Sequence, residues 1–190
     1  MELVDVLIII GALGFIFHDI FRVQETNPVA RYLHNHKKRW FPWHDFWFAC
    51  SVVAPAILLH ELGHKITAVY FGLNATFHAA YTWLVLGIIL KLVNFPFIFF
   101  VPAFVEITGS ATALQHALIS FAGPGINLVL WLGSWLVMKN ARFFKLNPQG
   151  RYYFALTSRI NMFLFIFNML PIPMFDGFSV YANLLKAFTG

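Results

Sequence analysis

The sequence predicts an all-α integral membrane protein, a multi-pass bundle of about five to six transmembrane or re-entrant helices. Of its 190 residues, 59% are hydrophobic and 11% are charged, and the mean hydropathy is +0.71. Soluble domains are about 45–50% apolar and about 25% charged. Several stretches also exceed the roughly 20 apolar residues that cross a hydrocarbon core. We therefore expect residues 1–190 to form a single membrane-embedded domain.

The N-terminal region, residues 1–45, contains a predicted first span and a basic loop. The span covers residues 3–21, and it is preceded by Glu2 rather than by the basic segment of a cleaved signal peptide. The loop covers residues 22–45 and ends near Trp40, Trp43 and Trp47, which are typical of the membrane interface.

The remaining region, residues 46–188, contains the other predicted spans. Apolar runs cover residues 46–71, 113–138 and 152–174, and a short amphipathic helix is predicted at 178–188. The run at 79–106 is interrupted by polar residues and prolines, so it could form one tilted span or two re-entrant arms.

The net charge of +5 does not indicate a nucleic-acid partner. The basic residues cluster in two loops, residues 22–45 and 139–151, as the flanks of membrane spans do. We expect the lipid bilayer to be the partner of the apolar surface. The single cysteine, Cys50, excludes an intrachain disulfide and a cysteine-rich metal site.

The motif His60-Glu61-Leu62-Gly63-His64 lies within the second predicted span. On a helix, His60 and His64 stand one turn apart on one face, where both can bind one Zn²⁺. Glu61 could act as general base towards a metal-bound water. The motif lies near the middle of the span, where ionisable groups are costly and therefore indicate function.

A hydrolytic zinc site normally has three protein ligands and one water. The eight Asp and Glu residues leave few candidates for the third ligand. Asp176 follows an apolar span directly after a Pro-x-Pro break, and Gly177 beside it permits unusual backbone angles. We choose Asp176, although it could alternatively cap the terminal helix. The other candidates lie near span ends or in loops: Glu2, Asp5, Asp19, Glu25, Asp45 and Glu106.

Three motifs together resemble the site-2 protease family of intramembrane zinc metalloproteases. They are residues 60–64, the Gly-Pro-Gly-Ile-Asn run at 123–127, and the Asn-Met-Leu-Pro run at 168–171 followed by Asp176 and Gly177. The resemblance covers a catalytic core at residues 46–188. The chain resembles a minimal form of the family, without an inserted PDZ or CBS domain.

The resemblance implies that His60, His64 and Asp176 bind one Zn²⁺ per chain and that Glu61 is the catalytic base. It implies a catalytic and substrate-positioning role for Asn168, and a substrate-positioning role for Asn127. The implied substrate is a transmembrane helix of another membrane protein, cleaved within the bilayer. The small size suggests that control comes from a regulatory partner or from substrate shedding.

The sequence is compatible with two other classes of function. The chain could be a membrane zinc protease that acts on soluble or juxtamembrane segments. It could also be a non-catalytic protein that binds or transports metal, although Glu61 argues against this and against an inactive scaffold.

The orientation of the site also stays open. Basic loops are typically cytoplasmic, so the loops at 22–45 and 139–151 should lie on the same, cytoplasmic side of the membrane. Residues 72–112 would then have to return to the side they left, and His60 would lie toward the outer half of the bilayer. The family resemblance instead implies a site that opens toward the cytoplasm.

Overall fold

The computed structural model describes residues 1–21, 40–95 and 101–189, and this part of the chain is mostly helical. Most of the predicted basic loop at 22–45 lies outside the described residues. The elements in chain order are α1 (Glu2–Phe17), α2 (Trp43–Tyr70), β1 (Asn74–Ala79), α3 (Tyr81–Leu92), β2 (Ala103–Thr108), α4 (Ala113–Lys139), α5 (Pro148–Asn168) and α6 (Asp176–Thr189).

Two helices in the described ranges are long and apolar enough to cross a membrane, α2 with 28 residues and α4 with 27. By length and composition these two helices agree with the predicted membrane protein, while the multi-pass bundle of five to six spans stays a prediction. The helix α3 has 12 residues, so at 1.5 Å per residue it is about 18 Å long, too short to cross the hydrocarbon core.

The structure differs from the all-α prediction between α2 and α4. There β1 and β2 pair antiparallel, with Asn74 opposite Thr108 and Ala79 opposite Ala103. Phe77 and Ala79 are buried in a core cluster formed with residues of α1 and α2. A short apolar run fits a buried strand as well as a helix, so the sequence pattern alone did not separate the two structures.

The helix α4 lies at the centre of the fold and packs against α2, α5 and α6. It begins at a capping box in which Thr112 and Gln115 satisfy each other's backbone N–H groups. Its buried positions include Gly123 and Asn127. This arrangement places those two residues beside the histidines of α2.

Pro55 interrupts the backbone hydrogen bonds of α2 just before the histidine motif. Proline has no N–H, so the carbonyl of Ser51, four residues earlier, loses its usual helical donor. The hydroxyl of Tyr153 on α5 donates to this carbonyl at 2.9 Å. The irregularity in α2 is thus satisfied by a tie to α5.

The turn between α5 and α6 sets the position of Asp176, the first residue of α6. Met174 in this turn has a φ of 84°, a region that L-residues rarely adopt. A Cβ at Gly177 would lie 2.5 Å from the carbonyl carbon of Met169, so only glycine permits this close approach. Hydrogen bonds then hold α6: the Tyr181 hydroxyl donates to the Met169 carbonyl, and the Ser120 hydroxyl donates to the Ser179 hydroxyl oxygen.

Candidate metal centre

The structure brings together the three predicted metal ligands. His60 and His64 lie on one face of α2 and are 7% and 8% exposed, and Asp176 reaches them from the start of α6. The Nε2 atoms of the two histidines are 3.1 Å apart. Asp176 Oδ2 lies 3.1 Å from His60 Nε2 and 3.4 Å from His64 Nε2.

The hydrogen bonds at the other ring nitrogens leave both Nε2 atoms available as ligands. His64 Nδ1 lies 2.7 Å from the carbonyl oxygen of Ile119, which can only accept, so Nδ1 carries the proton. His60 Nδ1 lies 2.6 Å from Asn127 Oδ1, which is also an acceptor. Each neutral ring therefore presents a lone pair at Nε2, the form that binds a metal.

The spacing of these atoms fits a tetrahedral zinc ion. Zinc–nitrogen bonds of about 2.0–2.1 Å give a tetrahedron whose edge is about 3.3 Å. The three observed separations, 3.1, 3.1 and 3.4 Å, match that edge closely. Two imidazoles and one carboxylate are also a known ligand set of hydrolytic zinc, which leaves the fourth position for water.

Gly123 of α4 forms the wall of the site opposite the histidines. A Cβ at this position would lie 2.8 Å from His60 Nε2 and in still closer contact with His64 Nε2. A side chain here would therefore enter the space in which the ligand atoms meet.

Comparison with known proteins identifies the family. A protein of Methanocaldococcus jannaschii, provisionally named zinc metalloprotease MJ0611, is 36% identical over 136 residues, which cover 71% of this chain and 69% of that relative. This chain belongs to the zinc metalloprotease family. Zinc is therefore the metal of the site, in agreement with the His60, His64 and Asp176 ligand set.

Two longer relatives carry the same kind of provisional name. The zinc metalloprotease sll0528 of Synechocystis is 28% identical over 78% of this chain, and YwhC of Bacillus subtilis is 27% identical over 38% of it. The matches cover 34% and 36% of the lengths of these two relatives. No protein-family model and no solved structure matches the chain.

In this zinc metalloprotease, the two histidines are oriented by different groups. The Asn127 side chain supports His60, and its Nδ2 donates to the Ala56 carbonyl at 2.9 Å and to Asn161 Oδ1 at 2.8 Å. Asn161 in turn donates to the carbonyl of Thr157. This asparagine relay, Asn127 and Asn161, links α2, α4 and α5, whereas His64 relies on one backbone carbonyl of α4.

Asn127 lies behind His60 and is 0% exposed. Its amide oxygen and both amide hydrogens are engaged within the protein. In the structure Asn127 therefore supports the metal ligand His60, and the substrate-positioning role implied by the family resemblance stays a prediction.

A cavity of about 630 Å³ opens beside the metal site. Its lining includes the three metal ligands, Glu61 and Asn168, while most of its remaining lining is apolar. Glu61 is half-buried, next to His60 on α2. Asn168 is the last residue of α5, and its Nδ2 donates to the Leu164 carbonyl at 3.0 Å.

Sequence reasoning did not assign a role to Asn161, Gly123 or the Ile119 carbonyl. Asn161 carried a usable signal, because it is an amide within an apolar run, as Asn127 is. Gly123 belongs to a motif that was recognised, but its contact with the histidines depends on how closely α4 approaches α2. The carbonyl of Ile119 carries no signal in the residue type.

Proposed function

We propose that this chain is an intramembrane zinc endopeptidase of the site-2 protease type, which cleaves transmembrane segments of membrane-protein substrates. The observation that carries the proposal is the position of the metal ligands. His60 is 17 residues into the 28-residue apolar helix α2, about 26 Å from its start and about 15 Å from its end. A metal site this far from both ends of an apolar helix favours substrates that lie within the bilayer.

The residues around the cavity suit peptide hydrolysis. Zinc, when bound, lowers the pKa of a bound water and supplies a positive charge that polarises the substrate carbonyl. Glu61 takes a proton from the attacking water and later delivers it to the leaving amine. The amide of Asn168, at the cavity wall, is a donor for the substrate backbone or for the developing oxyanion.

The apolar wall of the cavity supports an apolar substrate. Residues such as Val53, Ile57 and Phe163 line it together with the polar residues of the metal site. A peptide bond of the substrate can reach the metal site only after the substrate helix has unwound locally, because a helix keeps its backbone groups paired. The strand β2 also borders the cavity, so an extended substrate would have a neighbouring backbone of similar geometry.

The first experiment compares zinc content and cleavage in the wild type, Asp176→Ala and Glu61→Gln. We expect about one zinc per wild-type chain, a marked loss in Asp176→Ala, and full retention in Glu61→Gln. Glu61→Gln removes the base, so cleavage of a transmembrane reporter in liposomes should fall by at least about 100-fold. Zinc is measured by elemental analysis of the purified full chain, and cleavage by mass spectrometry.

The position of the cleaved bond separates the proposal from its alternatives. Cleavage inside the transmembrane segment supports it, whereas cleavage only beside that segment would indicate a protease of juxtamembrane chains. Near-normal turnover in Glu61→Gln would contradict the assigned base. Zinc flux into liposomes without any proteolysis would favour a metal transporter.

A further inference from the structure

Three of the basic residues in the described helices, Lys65, Lys91 and Arg159, are each followed by an apolar residue in the sequence, and the first two have acidic partners. Lys65 donates to Glu2 Oε1 at 2.6 Å, and Lys91 forms an ion pair with Asp19. Arg159 on α5 differs, because no carboxylate of residues 1–21, 40–95 or 101–189 lies within ion-pair distance of it. A guanidinium within the span predicted at residues 152–174, with no carboxylate partner among the described residues, is expected to have a function, because such a charge is costly in a bilayer.

Arg159 lines the same cavity as the metal ligands and Glu61. It is exposed, and among the described residues that line this cavity no other is a lysine or arginine. Its neighbours on the same face of α5, Leu156, Ile160 and Phe163, are apolar. The cavity therefore places one permanent positive charge on an otherwise largely apolar wall.

The position of Arg159 along α5 is close to the level of the metal site. Asn161, two residues further, reaches Asn127, which contacts His60. Two residues correspond to about 3 Å along the helix axis and about 200° around it. Arg159 thus lies near the height of the asparagine relay, but on the face of α5 that borders the cavity.

We propose that Arg159 is a specificity-determining residue that binds an acidic side chain of the substrate within a few residues of the cleaved bond. The inference rests on the proposed proteolytic function and names the substrate class, membrane segments that carry an Asp or Glu near the cleavage site. A guanidinium binds a carboxylate through two parallel hydrogen bonds, and the low dielectric of the cavity strengthens this pairing.

The place of Arg159 within its helix favours a substrate carboxylate over a lipid phosphate. Arg159 is 11 residues after Pro148 and 9 residues before Asn168, about 16 Å and about 14 Å from the two ends of α5. Headgroups lie beyond the ends of a membrane-embedded helix, whereas a substrate in the cavity passes directly beside this residue.

The test uses the full chain in phosphatidylcholine liposomes and a panel of transmembrane peptides. In each peptide, one position near the cleaved bond carries either Glu or its neutral isostere Gln. We expect one Glu position to raise kcat/KM by about tenfold or more, mainly through a lower KM, since a hydrogen bond to a charged group contributes about 1.5–3 kcal/mol. Arg159→Met should abolish the preference, and Arg159→Glu should shift it to a peptide with Lys at that position.

Arg151→Met is the matched control, because Arg151 lies on the same helix, is exposed and is not among the cavity-lining residues. It should retain the Glu preference.

A second measurement, peptide binding to the Glu61→Gln variant followed by fluorescence anisotropy, reports recognition without turnover. If the wild type cleaves no peptide but this variant still prefers Glu through Arg159, the proposed proteolysis fails while the binding of an acidic side chain by Arg159 holds.

The inference is overturned if neither kcat/KM nor binding distinguishes Glu from Gln at any position. It is also overturned if the preference survives Arg159→Met. An equal loss for the Glu and Gln peptides in Arg159→Met would assign Arg159 to a lipid headgroup or to the stability of the helix instead.

Discussion

His60 and His64 belong to the same metal site, but His60 is oriented by a side chain and His64 by a backbone carbonyl. His60 depends on a side chain, Asn127, which is itself held by Asn161 on another helix. His64 depends on the backbone carbonyl of Ile119. A side-chain support can be removed by one substitution, whereas a carbonyl is present whatever the residue type. The two halves of the metal site should therefore differ in their sensitivity to mutation.

The difference also has a structural meaning. The His60 support crosses three helices, α2, α4 and α5, so the orientation of this ring reports how those helices pack. The His64 support needs only α4 to lie at the correct height beside α2. Asn127 is completely buried with all of its hydrogen-bonding groups engaged, and such a group is costly to leave unpaired.

The largest effect should come from a substitution that disturbs both histidines at once, Gly123→Ala. Its Cβ would enter the space beside both Nε2 atoms, so we expect zinc content to fall from about one per chain to near zero. Gly133→Ala, on the same helix with nothing within 4 Å of its Cβ, is the control and should keep its zinc. Elemental analysis of both purified variants is the measurement. Full zinc occupancy in Gly123→Ala would contradict the geometry of this wall.

The parts of the site that sequence reasoning could predict are those fixed by short-range geometry or by unusual chemistry. His60 and His64 are one helical turn apart, so their common face follows from the helix alone. Asp176 is far away along the chain, but a carboxylate after a Pro-x-Pro break is unusual in an apolar region. Its proximity to both histidines is now seen in the structure.

The parts that could not be predicted depend on contacts between distant elements. The partner of Asn127 is Asn161, and only the crossing of α4 and α5 determines that pairing. The strand β1 is an example in the fold, because Phe77 is buried through tertiary packing rather than through a distinctive local pattern. Lys91 and Arg159 are both basic residues within apolar runs of the sequence, and only the fold shows that Lys91 has an acidic partner.

A smaller effect, confined to His60, is expected for Asn127→Ala. The substitution removes the acceptor for His60 Nδ1 and leaves Asn161 without one of its partners. Loss of a hydrogen bond that orients a metal-binding histidine typically lowers metal affinity by about 10–100-fold. Competition with a chromophoric zinc chelator measures the affinity, and residual zinc binding through His64 and Asp176 should persist. An unchanged zinc affinity would show that His60 does not depend on this side chain.

The smallest effects should separate the two kinds of support. Asn161→Ala leaves the bonds from Asn127 to His60 and to the Ala56 carbonyl in place, so zinc affinity should fall by less than about tenfold. Ile119→Val keeps the carbonyl that holds His64, and it should leave zinc affinity unchanged apart from a loss of about 0.5–1.5 kcal/mol in stability for the missing methylene. The chelator competition, run beside thermal unfolding, distinguishes an effect on zinc from an effect on the fold. A larger loss of zinc affinity in Ile119→Val than in Asn161→Ala would reverse the order of the two supports, because it would mean that the position of α4, rather than the asparagine relay, limits metal binding.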